Sequence, residues 1–502
     1  MVRLTSNHEL PLALPTSGRA LPDSLRRIAF GVAFALIAAY GGLRLAALLF
    51  PSATAVGYNG YYYVLQVHTL LKGAQLYYPT HTPLAFYLLA AVSWLTGDAV
   101  RGVKIGTLVF AFAMMYGAFL SSRLLLGSRW CALLAFALLA ESTILAYIMV
   151  EYAKTLLALV FLFWCVFFAL RAQESHRWRN LAIAIACCVA SLLCHRSMWI
   201  LLPALAVSMT VSFFLLDDSS GPPRLWHGVA CLSAVSTWPL LPAIQTWFQL
   251  PTAVASEITS RPLWPINSFA VLEKTLLLIA AAGVFPSLFM HGRLAECATR
   301  RYFLGAIAVL CFLIPLNPFL NRGLGSLGGA GRISDIVTVV AVPILAPALM
   351  WEAHRRSNFW TPALLSAALL LIGAVFCGSI VPEGAGPSYL AARGELVRLL
   401  RLHRADLQRC SMVLARHGEQ FVVTDITDVP AQRERPADGI NACWLVRTSA
   451  ISPLERFVID RQQDGAYLEL VPDVELRSLL AAMSPSDQSM FYLENPQVAL
   501  RM

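Results

Sequence analysis

Long apolar runs recur along most of this chain, and they constrain its fold more than any other feature of the sequence. Apolar runs of about 18 or more residues with few charges recur, and a run of this length can cross a lipid bilayer as a helix. Hydrophobic residues make up 58% of the 502 residues and charged residues only 13%. A soluble chain is about one quarter charged. The sequence therefore predicts an all-α polytopic membrane protein.

We predict about eleven membrane spans from the length and composition of these runs. They cover residues 28–50, 103–122, 131–150, 155–171, 181–194, 198–215, 228–249, 275–291, 302–316, 333–350 and 359–380. Residues 83–97 form a further apolar helix that is too short to cross alone, and we place it at the outer surface. The predicted membrane domain thus covers residues 28–380, and residues 1–27 precede it as a cytoplasmic segment.

Lysine and arginine are distributed unequally between the two sets of loops, and this bias predicts the orientation of the chain. The cation-rich loops, which hold Arg26, Arg27, Arg123 and Arg129, belong on the cytoplasmic side of the inner (plasma) membrane. With an odd number of spans, the C-terminal region lies outside, in a periplasm-like space. The net charge of +9 follows these loop ends and not one soluble face, so nucleic acid is not an expected partner.

The composition changes at residues 381–387, where a segment rich in proline and glycine follows the last apolar run. Residues 381–502 are therefore predicted to form a small extracytoplasmic α+β domain. Helical spacing covers 388–417, strand-like runs cover 421–424, 443–446, 457–459 and 467–471, and two helices cover 473–483 and 485–493. Cys410 and Cys443 are the cysteines of this region, and the sequence leaves open whether they pair.

A polar loop rich in tyrosine follows the first span, at residues 51–102. Its stretch 56–66 reads Val-Gly-Tyr-Asn-Gly-Tyr-Tyr-Tyr-Val-Leu-Gln, and Tyr77 and Tyr78 come further on. Tyrosine suits the membrane–water boundary, because one end of the ring is apolar and the other is polar. Both an aromatic belt and a surface that binds a substrate at this boundary fit the composition.

Polar side chains from distant segments are predicted at the same outer level as this loop. They are Glu151 between the third and fourth spans, His195 and Arg196 between the fifth and sixth, and Arg322 and Arg332 before the tenth. Arginine binds phosphate through a bidentate fork, and a carboxylate can take a proton from a hydroxyl. The set suits an anionic lipid headgroup, but a pairing of Glu151 with Lys154 and an Arg196 that only reaches the headgroups remain open.

The order of these features resembles that of the GT-C superfamily of polytopic glycosyltransferases, near the protein-O-mannosyltransferase and aminoarabinose-transferase group. The resemblance covers about residues 28–350. A first span is followed by a long outer loop that ends in an amphipathic helix, here Thr82-Pro-Leu-Ala-Phe-Tyr87. A second outer acid, Glu151, and then a cation, Arg196, come later. Each motif is weak alone, and the resemblance rests on their order.

The resemblance implies a sugar donor carried on polyprenyl phosphate and transfer on the outer face, with the first-loop acid as base. Asn59 stands where that acid is expected, and an amide is too weakly basic to replace it. Glu151 and Asn59 are therefore the candidate catalytic residues. The candidate substrate-binding residues are Tyr61, Tyr62, Lys72, Tyr78, His81, His195, Arg196, Arg322 and Arg332.

Asn59 leaves two other functions open for the chain. One is a non-catalytic relative that binds lipid-linked sugar or works with envelope-glycan assembly proteins. The other is a transporter of lipid-linked sugar, although no clear internal repeat is visible. No cofactor is indicated beyond the polyprenyl-phosphate sugar as donor, and a divalent metal is compatible with the chain but not indicated by any Cys/His spacing.

Overall fold

The computed structural model describes residues 23–216, 271–289, 298–316, 330–356, 381–402, 404–415, 418–432, 442–448, 458–461, 467–485 and 488. Contacts between residues divide the chain into two compact units. Unit 1 comprises residues 1–45, 109–146 and 154–380. Unit 2 comprises residues 46–108, 147–153 and 381–502, so it combines three segments that are distant in sequence. The domain boundary at residue 381 stays a prediction.

The first described segment is almost entirely helical, as its apolar runs predict. Its helices are α1 Asp23–Leu49, α2 Gly60–Leu71, α3 Leu84–Thr96, α4 Ala99–Leu126, α5 Arg129–Glu141, α6 Thr143–Glu151, α7 Ala153–Glu174, α8 Arg177–Cys194 and α9 Met198–Leu216. Three more helices follow at α10 Val271–Phe289, α11 Ala298–Leu313 and α12 Ala330–Arg356. The predicted short helix at 83–97 is α3, which ends where Gly97 adopts a positive φ of 71°.

Five of the described helices are long and apolar enough to cross a membrane. They cover Arg27–Leu49, Ala99–Leu126, Ala153–Gln173, Arg177–Cys194 and Ile333–Ala353. Helices α5 and α6 together give a sixth candidate, which bends by 54°. The predicted class of helical membrane protein is confirmed. The number eleven stays a prediction, because the runs 228–249 and 359–380 lie outside the described residues.

The bend between α5 and α6 is held by a buried carboxylate within unit 1. Glu273 of α10 accepts hydrogen bonds from the backbone N–H groups of Thr143 at 2.6 Å and Ile144 at 3.0 Å, and from the Ser142 hydroxyl at 2.8 Å. The first N–H groups of a helix have no partner within that helix. Glu273 therefore satisfies the start of α6 and makes a break in an apolar span tolerable.

The described C-terminal part of unit 2 is mixed helix and sheet. A 3-10 helix, Glu383–Ala385, precedes α13 Pro387–Leu402, α14 Arg404–Leu407, α15 Glu419–Thr427 and α16 Asp473–Ala482. The strands are β1 Met412–Leu414, β2 Ala431–Gln432, β3 Ala442–Thr448, β4 Val458–Arg461 and β5 Tyr467–Pro472. They form one sheet in the order β2-β1-β3-β5-β4, in which β1 is parallel to β2 and β3 while β5 is antiparallel to β3 and β4.

A disulfide links two neighbouring strands of this sheet. Cys410 lies just before β1 and Cys443 lies in β3, and their Cα atoms are 6.0 Å apart. Because β1 pairs with β3, with Met412 opposite Ala442, the sheet itself brings the two thiols together. The pairing that the sequence left open is therefore formed.

One predicted strand in this region is wrong. Residues 421–424 lie in helix α15, in which the Thr424 hydroxyl donates to the Gln420 carbonyl at 3.0 Å and the Thr427 hydroxyl donates to the Val423 carbonyl at 2.7 Å. Periodicity alone does not distinguish a buried strand from a buried helix over a short, continuous apolar run. The runs 443–446, 457–459 and 467–471 overlap β3, β4 and β5, and 473–483 corresponds to α16. The helical spacing predicted over 388–417 is wrong at residues 412–414, which form β1. Most of 485–493 lies outside the described residues.

Candidate functional site

The segment between α1 and α2 makes a tight turn that only glycine allows at one position. Gly57 has a φ of 86°, and a Cβ atom added there would lie 2.2 Å from the backbone oxygen of Val150. Helix α2 starts at Gly60, so the tyrosine run that the sequence places in a loop is helical. This close approach brings the start of α2 against residues 150–151 within unit 2.

Glu151 binds the start of α2 through its carboxylate. Oε1 accepts a hydrogen bond from the backbone N–H of Tyr58 at 3.0 Å, and Oε2 accepts from the backbone N–H and the side-chain amide of Asn59, both at 3.3 Å. The side chain of Asn59 makes no capping bond of its own. Glu151 is only 2% exposed. The two candidate catalytic residues are therefore in contact, and Glu151 acts as a remote cap for helix α2.

Residues of the C-terminal part of unit 2 hold the same turn from another side. The Gly384 carbonyl accepts from the N–H of Gly57 at 2.8 Å, and the Tyr389 hydroxyl donates to the Gly57 carbonyl at 3.3 Å. Arg393 donates to the Tyr389 hydroxyl and, at 3.2 Å, to the Gly418 carbonyl. Neither Tyr389 nor Arg393 is a candidate from the sequence, because the arginine-rich spacing of 388–417 does not indicate which segment they meet.

The tyrosines of α2 and the following segment pack into unit 2. Tyr61 is 2% exposed, and burial raises its pKa to about 12. The rings of Tyr62 and Tyr78 lie 5.2 Å and 5.7 Å from that of Phe421 in α15, and the Tyr78 hydroxyl donates to the Ala431 carbonyl at 3.2 Å. Burial also raises the pKa of Tyr78 to about 12. These hydroxyls stay protonated at neutral pH, so they can donate hydrogen bonds but cannot act as bases there.

The predicted cations are placed in different parts of the molecule. Lys72 is exposed at the end of α2, with Nζ 3.7 Å from an Asp428 carboxylate oxygen, and His81 is exposed before α3. In unit 1, His195 follows α8 and accepts at Nδ1 from the Ser197 N–H at 3.2 Å, while Arg196 is exposed. Arg322 lies outside the described residues, and Arg332 is described only as part of helix α12.

Lys104 is a further cation near this turn, and no sequence motif marks it as a candidate. It lies in α4 with 5% of its surface exposed, and its Nζ donates to the Ser52 carbonyl at 2.7 Å. The neighbouring cavity in unit 2 is lined mainly by apolar side chains, among them Leu49, Val56 and Met149. Within the described part of the chain, no three His, Cys, Asp or Glu side chains are grouped as ligands of a metal ion would be.

Comparisons with known proteins agree on one class of fold. The sequence model of the family described as dolichyl-phosphate-mannose-protein mannosyltransferase matches residues 80–242. The archaeal oligosaccharyltransferase AglB from Archaeoglobus fulgidus, solved in complex with an inhibitory peptide and a dolichol-phosphate, is similar in structure with a TM-score of 0.51 and 12% sequence identity. This similarity covers 81% of the present chain and 64% of that one.

A second structure of the Archaeoglobus fulgidus oligosaccharyltransferase, in complex with Zn and sulfate, gives a TM-score of 0.50 at 12% identity. The similarity covers 79% of the present chain and 62% of that one. The chain therefore spans slightly less than two thirds of these proteins. No curated protein sequence matches this chain. The likeness shows the fold, and the predicted class of helical membrane protein is confirmed.

Proposed function

We propose that this chain is a membrane glycosyltransferase that moves a sugar from a polyprenyl-phosphate donor to an acceptor outside the cytoplasm. The contact between Asn59 and Glu151 carries the proposal. The GT-C resemblance assigns the first-loop and second-loop acids to these two positions, which lie 92 residues apart, and the side chains meet at 3.3 Å. The dolichol-phosphate bound to the similar archaeal oligosaccharyltransferase supports a lipid-phosphate donor.

The proposed reaction is a direct displacement with inversion at the anomeric carbon. The bond from that carbon to the phosphate oxygen breaks while the acceptor oxygen bonds to the carbon, and the acceptor proton passes to a base. Negative charge develops on the leaving phosphate, where cations stabilise it. Arg196 is our first candidate for this cation, because its side chain is exposed after α8. Lys72, Arg322 and Arg332 are further candidates, and His81, His195 and the tyrosines would orient donor or acceptor.

The role of Glu151 follows from its hydrogen bonds. Three N–H donors engage its two oxygens and fix the backbone and side chain at the start of α2. The contacts therefore favour a positioning role for Glu151, at the turn before α2, over the role of base. Its role as base stays a prediction. The reaction needs a base, and the amide of Asn59 cannot supply one because it does not accept a proton at neutral pH.

A second candidate function is a non-catalytic relative that binds lipid-linked sugar. Two observations favour it: Asn59 carries an amide where the resemblance places an acid, and Glu151 is engaged by N–H donors. Such a protein would keep donor binding and lack transfer. Partners in envelope-glycan assembly would then be expected.

The proposed location is the inner membrane, with the C-terminal part of the chain outside the cytoplasm. The Cys410–Cys443 disulfide supports the outside location, because structural disulfides persist in oxidising compartments and are rare in the cytosol. A donor reached from the outer leaflet would meet the first outer segment and the C-terminal part on the same side.

A transfer assay in nanodiscs tests the proposal. Purified protein is supplied with radiolabelled decaprenyl-phosphate mannose, galactose or aminoarabinose, together with an envelope lipid and glycan extract as acceptor. We expect labelled product with one of these three donors. Donor binding without product from any donor would support the non-catalytic candidate instead, and absence of both binding and product would contradict both.

Two sets of variants sharpen this assay. Arg196→Ala is expected to weaken donor binding by about tenfold or more, as removal of a charge-assisted phosphate contact does. Arg177→Ala is its control, because Arg177 begins the apolar helix α8 and Arg196 follows its end. Glu151→Gln, measured for activity and thermal stability together, separates the two roles of Glu151. Lost activity at unchanged stability indicates a base, whereas joint loss indicates the positioning role.

A further inference from the structure

Arg393 is a buried cation in the C-terminal part of unit 2. It is 5% exposed, and among the described residues no carboxylate lies within ion-pair distance of its guanidinium. Burying a charge costs several kcal/mol, and an apolar side chain of similar size often fills such a position at no loss of stability. A residue that only filled space in α13 would not need this charge.

The guanidinium is held by two oxygens and two aromatic rings. It donates to the Gly418 carbonyl and to the Tyr389 hydroxyl, and its central carbon lies 5.9 Å from the ring centre of Tyr61 and 5.0 Å from that of Tyr389. Such cation–π contacts favour a cation over a neutral side chain. The positive charge also attracts the carboxylate of Glu151. Arg393 thus links α13 to helix α2 and to the acid that binds its start.

The link continues to the turn that precedes α2. The Tyr389 hydroxyl accepts from Arg393 and donates to the Gly57 carbonyl, and the ring of Tyr389 lies 4.8 Å edge-on from that of Tyr58. Tyr389 also packs against the small apolar cluster that includes Val56 and Val150. Through one side chain, the position of Arg393 is transmitted to the backbone of residues 57–58.

Two glycines show how closely the C-terminal part approaches this turn. A Cβ atom added at Gly418 would lie 2.8 Å from the Tyr58 carbonyl oxygen. One added at Gly384 would lie 2.3 Å from Oε1 of Glu151 and 2.7 Å from the Gly57 Cα. The segment around Arg393 is thus in direct contact with the turn and with Glu151, and it forms one wall of the candidate site.

We propose that Arg393 is a positioning residue for sugar transfer. Through Tyr389 and through its own charge, it holds residues 57–59 in the conformation that Glu151 binds. The C-terminal part of unit 2 therefore completes a site that residues 51–102 do not form alone. The role in sugar transfer rests on the proposed function, whereas the positioning of residues 57–59 rests on the contacts alone.

The test combines hydrogen exchange with kinetics on the full chain in nanodiscs. Arg393→Met removes the charge, Arg393→Lys keeps it, and Tyr389→Phe removes the bond to Gly57. Arg404→Met is the control, because Arg404 is an exposed arginine of the same region that pairs with Asp428. Exchange is read on peptides covering residues 56–63, since the amides of Tyr58 and Asn59 donate to Glu151.

We expect Arg393→Met to speed exchange of these amides by about tenfold or more, because local opening becomes easier. The kcat should fall by a similar factor while the KM for donor changes little, and Arg393→Lys should recover part of both. Tyr389→Phe should act in the same direction, and the double variant should be no worse than Arg393→Met alone, since the two residues act in series.

Each outcome decides one of the two claims. Exchange and kcat in Arg393→Met that match those of Arg404→Met overturn the positioning role. If Arg393→Met does not fold, Tyr389→Phe decides, and unchanged exchange in that variant overturns the role. Wild-type protein without transfer activity refutes the proposed function, while the exchange data still decide whether Arg393 positions the turn.

Discussion

At the scale of single residues, the contact between Asn59 and Glu151 determines which side chains position 59 can carry without loss of stability. Asn59→Asp would place a second carboxylate about 3.3 Å from the first and remove an N–H donor. Two carboxylates this close ionise together only at a cost. We expect the free energy of unfolding to fall by about 1–3 kcal/mol at neutral pH. The loss should shrink as the pH falls, because one protonated carboxyl again donates a hydrogen bond to the other.

Thermal unfolding in detergent at pH 7.5 and pH 5 measures this difference. Asn59→Ser is the control, since it removes the amide donor without adding a charge and its effect should not depend on pH. Equal stability of Asn59→Asp and the wild type at pH 7.5 would contradict the prediction. If Asn59→Asp also transferred sugar faster than the wild type, the amide at position 59 would be what limits transfer in the wild type.

Gly57 offers a second test at the same scale. Its φ of 86° and the 2.2 Å approach of the Val150 oxygen to an added Cβ both oppose any side chain. Gly73 has a φ of 76° but no atom within 4 Å of an added Cβ. We expect Gly73→Ala to cost about 1–2 kcal/mol, from the left-handed conformation alone. Gly57→Ala should cost about 3 kcal/mol or more, because backbone atoms must also move. Similar melting temperatures for the two variants would show that the approach to Val150 is not needed.

At the scale of elements, one face of α2 docks on the C-terminal helices of unit 2. Tyr61, His68 and Lys72 are spaced as neighbours on one helical face. They meet Arg393, Asp425 and Asp428 respectively, the last two at 3.2 Å and 3.7 Å. The Asp425 side chain is 7% exposed and that of Asp428 is 57% exposed. The inner pair should therefore matter more than the outer one.

We expect Asp425→Asn to lower the free energy of unfolding by about 1–2 kcal/mol, since the contact of His68 with residue 425 is then no longer made to a buried carboxylate. Asp428→Asn should cost less than about 0.5 kcal/mol, as exposed ion pairs do. Asparagine also suits the left-handed φ of 60° at residue 428, so the backbone adds no cost. Thermal unfolding of both variants gives the comparison, and an equal or reversed order would contradict this account of the docking.

The sequence predicts helices and segment boundaries correctly where one property, such as length or composition, is enough to identify them. Length and apolar composition identified the helices of the membrane part, and the proline and glycine of 381–387 marked the change of composition before α13. The strand predicted at 421–424 is wrong because the valines and phenylalanine there suit a buried strand as well as a buried helix. The hydrogen bonds of the Thr424 and Thr427 hydroxyls to carbonyls four residues earlier show that the helix forms.

At the scale of the whole molecule, the sequence identified half of the candidate site. Asn59 and Glu151 were found because the GT-C resemblance orders them along the chain. Tyr389 and Arg393 were not, because their partners lie more than 300 positions away and no local pattern records such a contact. Long-range packing of this kind is set by the fold, which the archaeal oligosaccharyltransferases share at 12% identity.

Orientation in the membrane is the property of the whole chain that the Lys/Arg bias predicts. Lys72 precedes the apolar helix α4 and Arg129 follows it, and both side chains are exposed. With Lys72→Cys, an impermeant maleimide should label intact cells; with Arg129→Cys, it should label only permeabilised ones. The parent chain controls for its own cysteines. Labelling of position 129 from outside would reverse the orientation, and labelling of both positions would mean that α4 does not span the membrane. The reversed orientation would place residues 46–108 away from an outer-leaflet donor and remove the basis for transfer on that face.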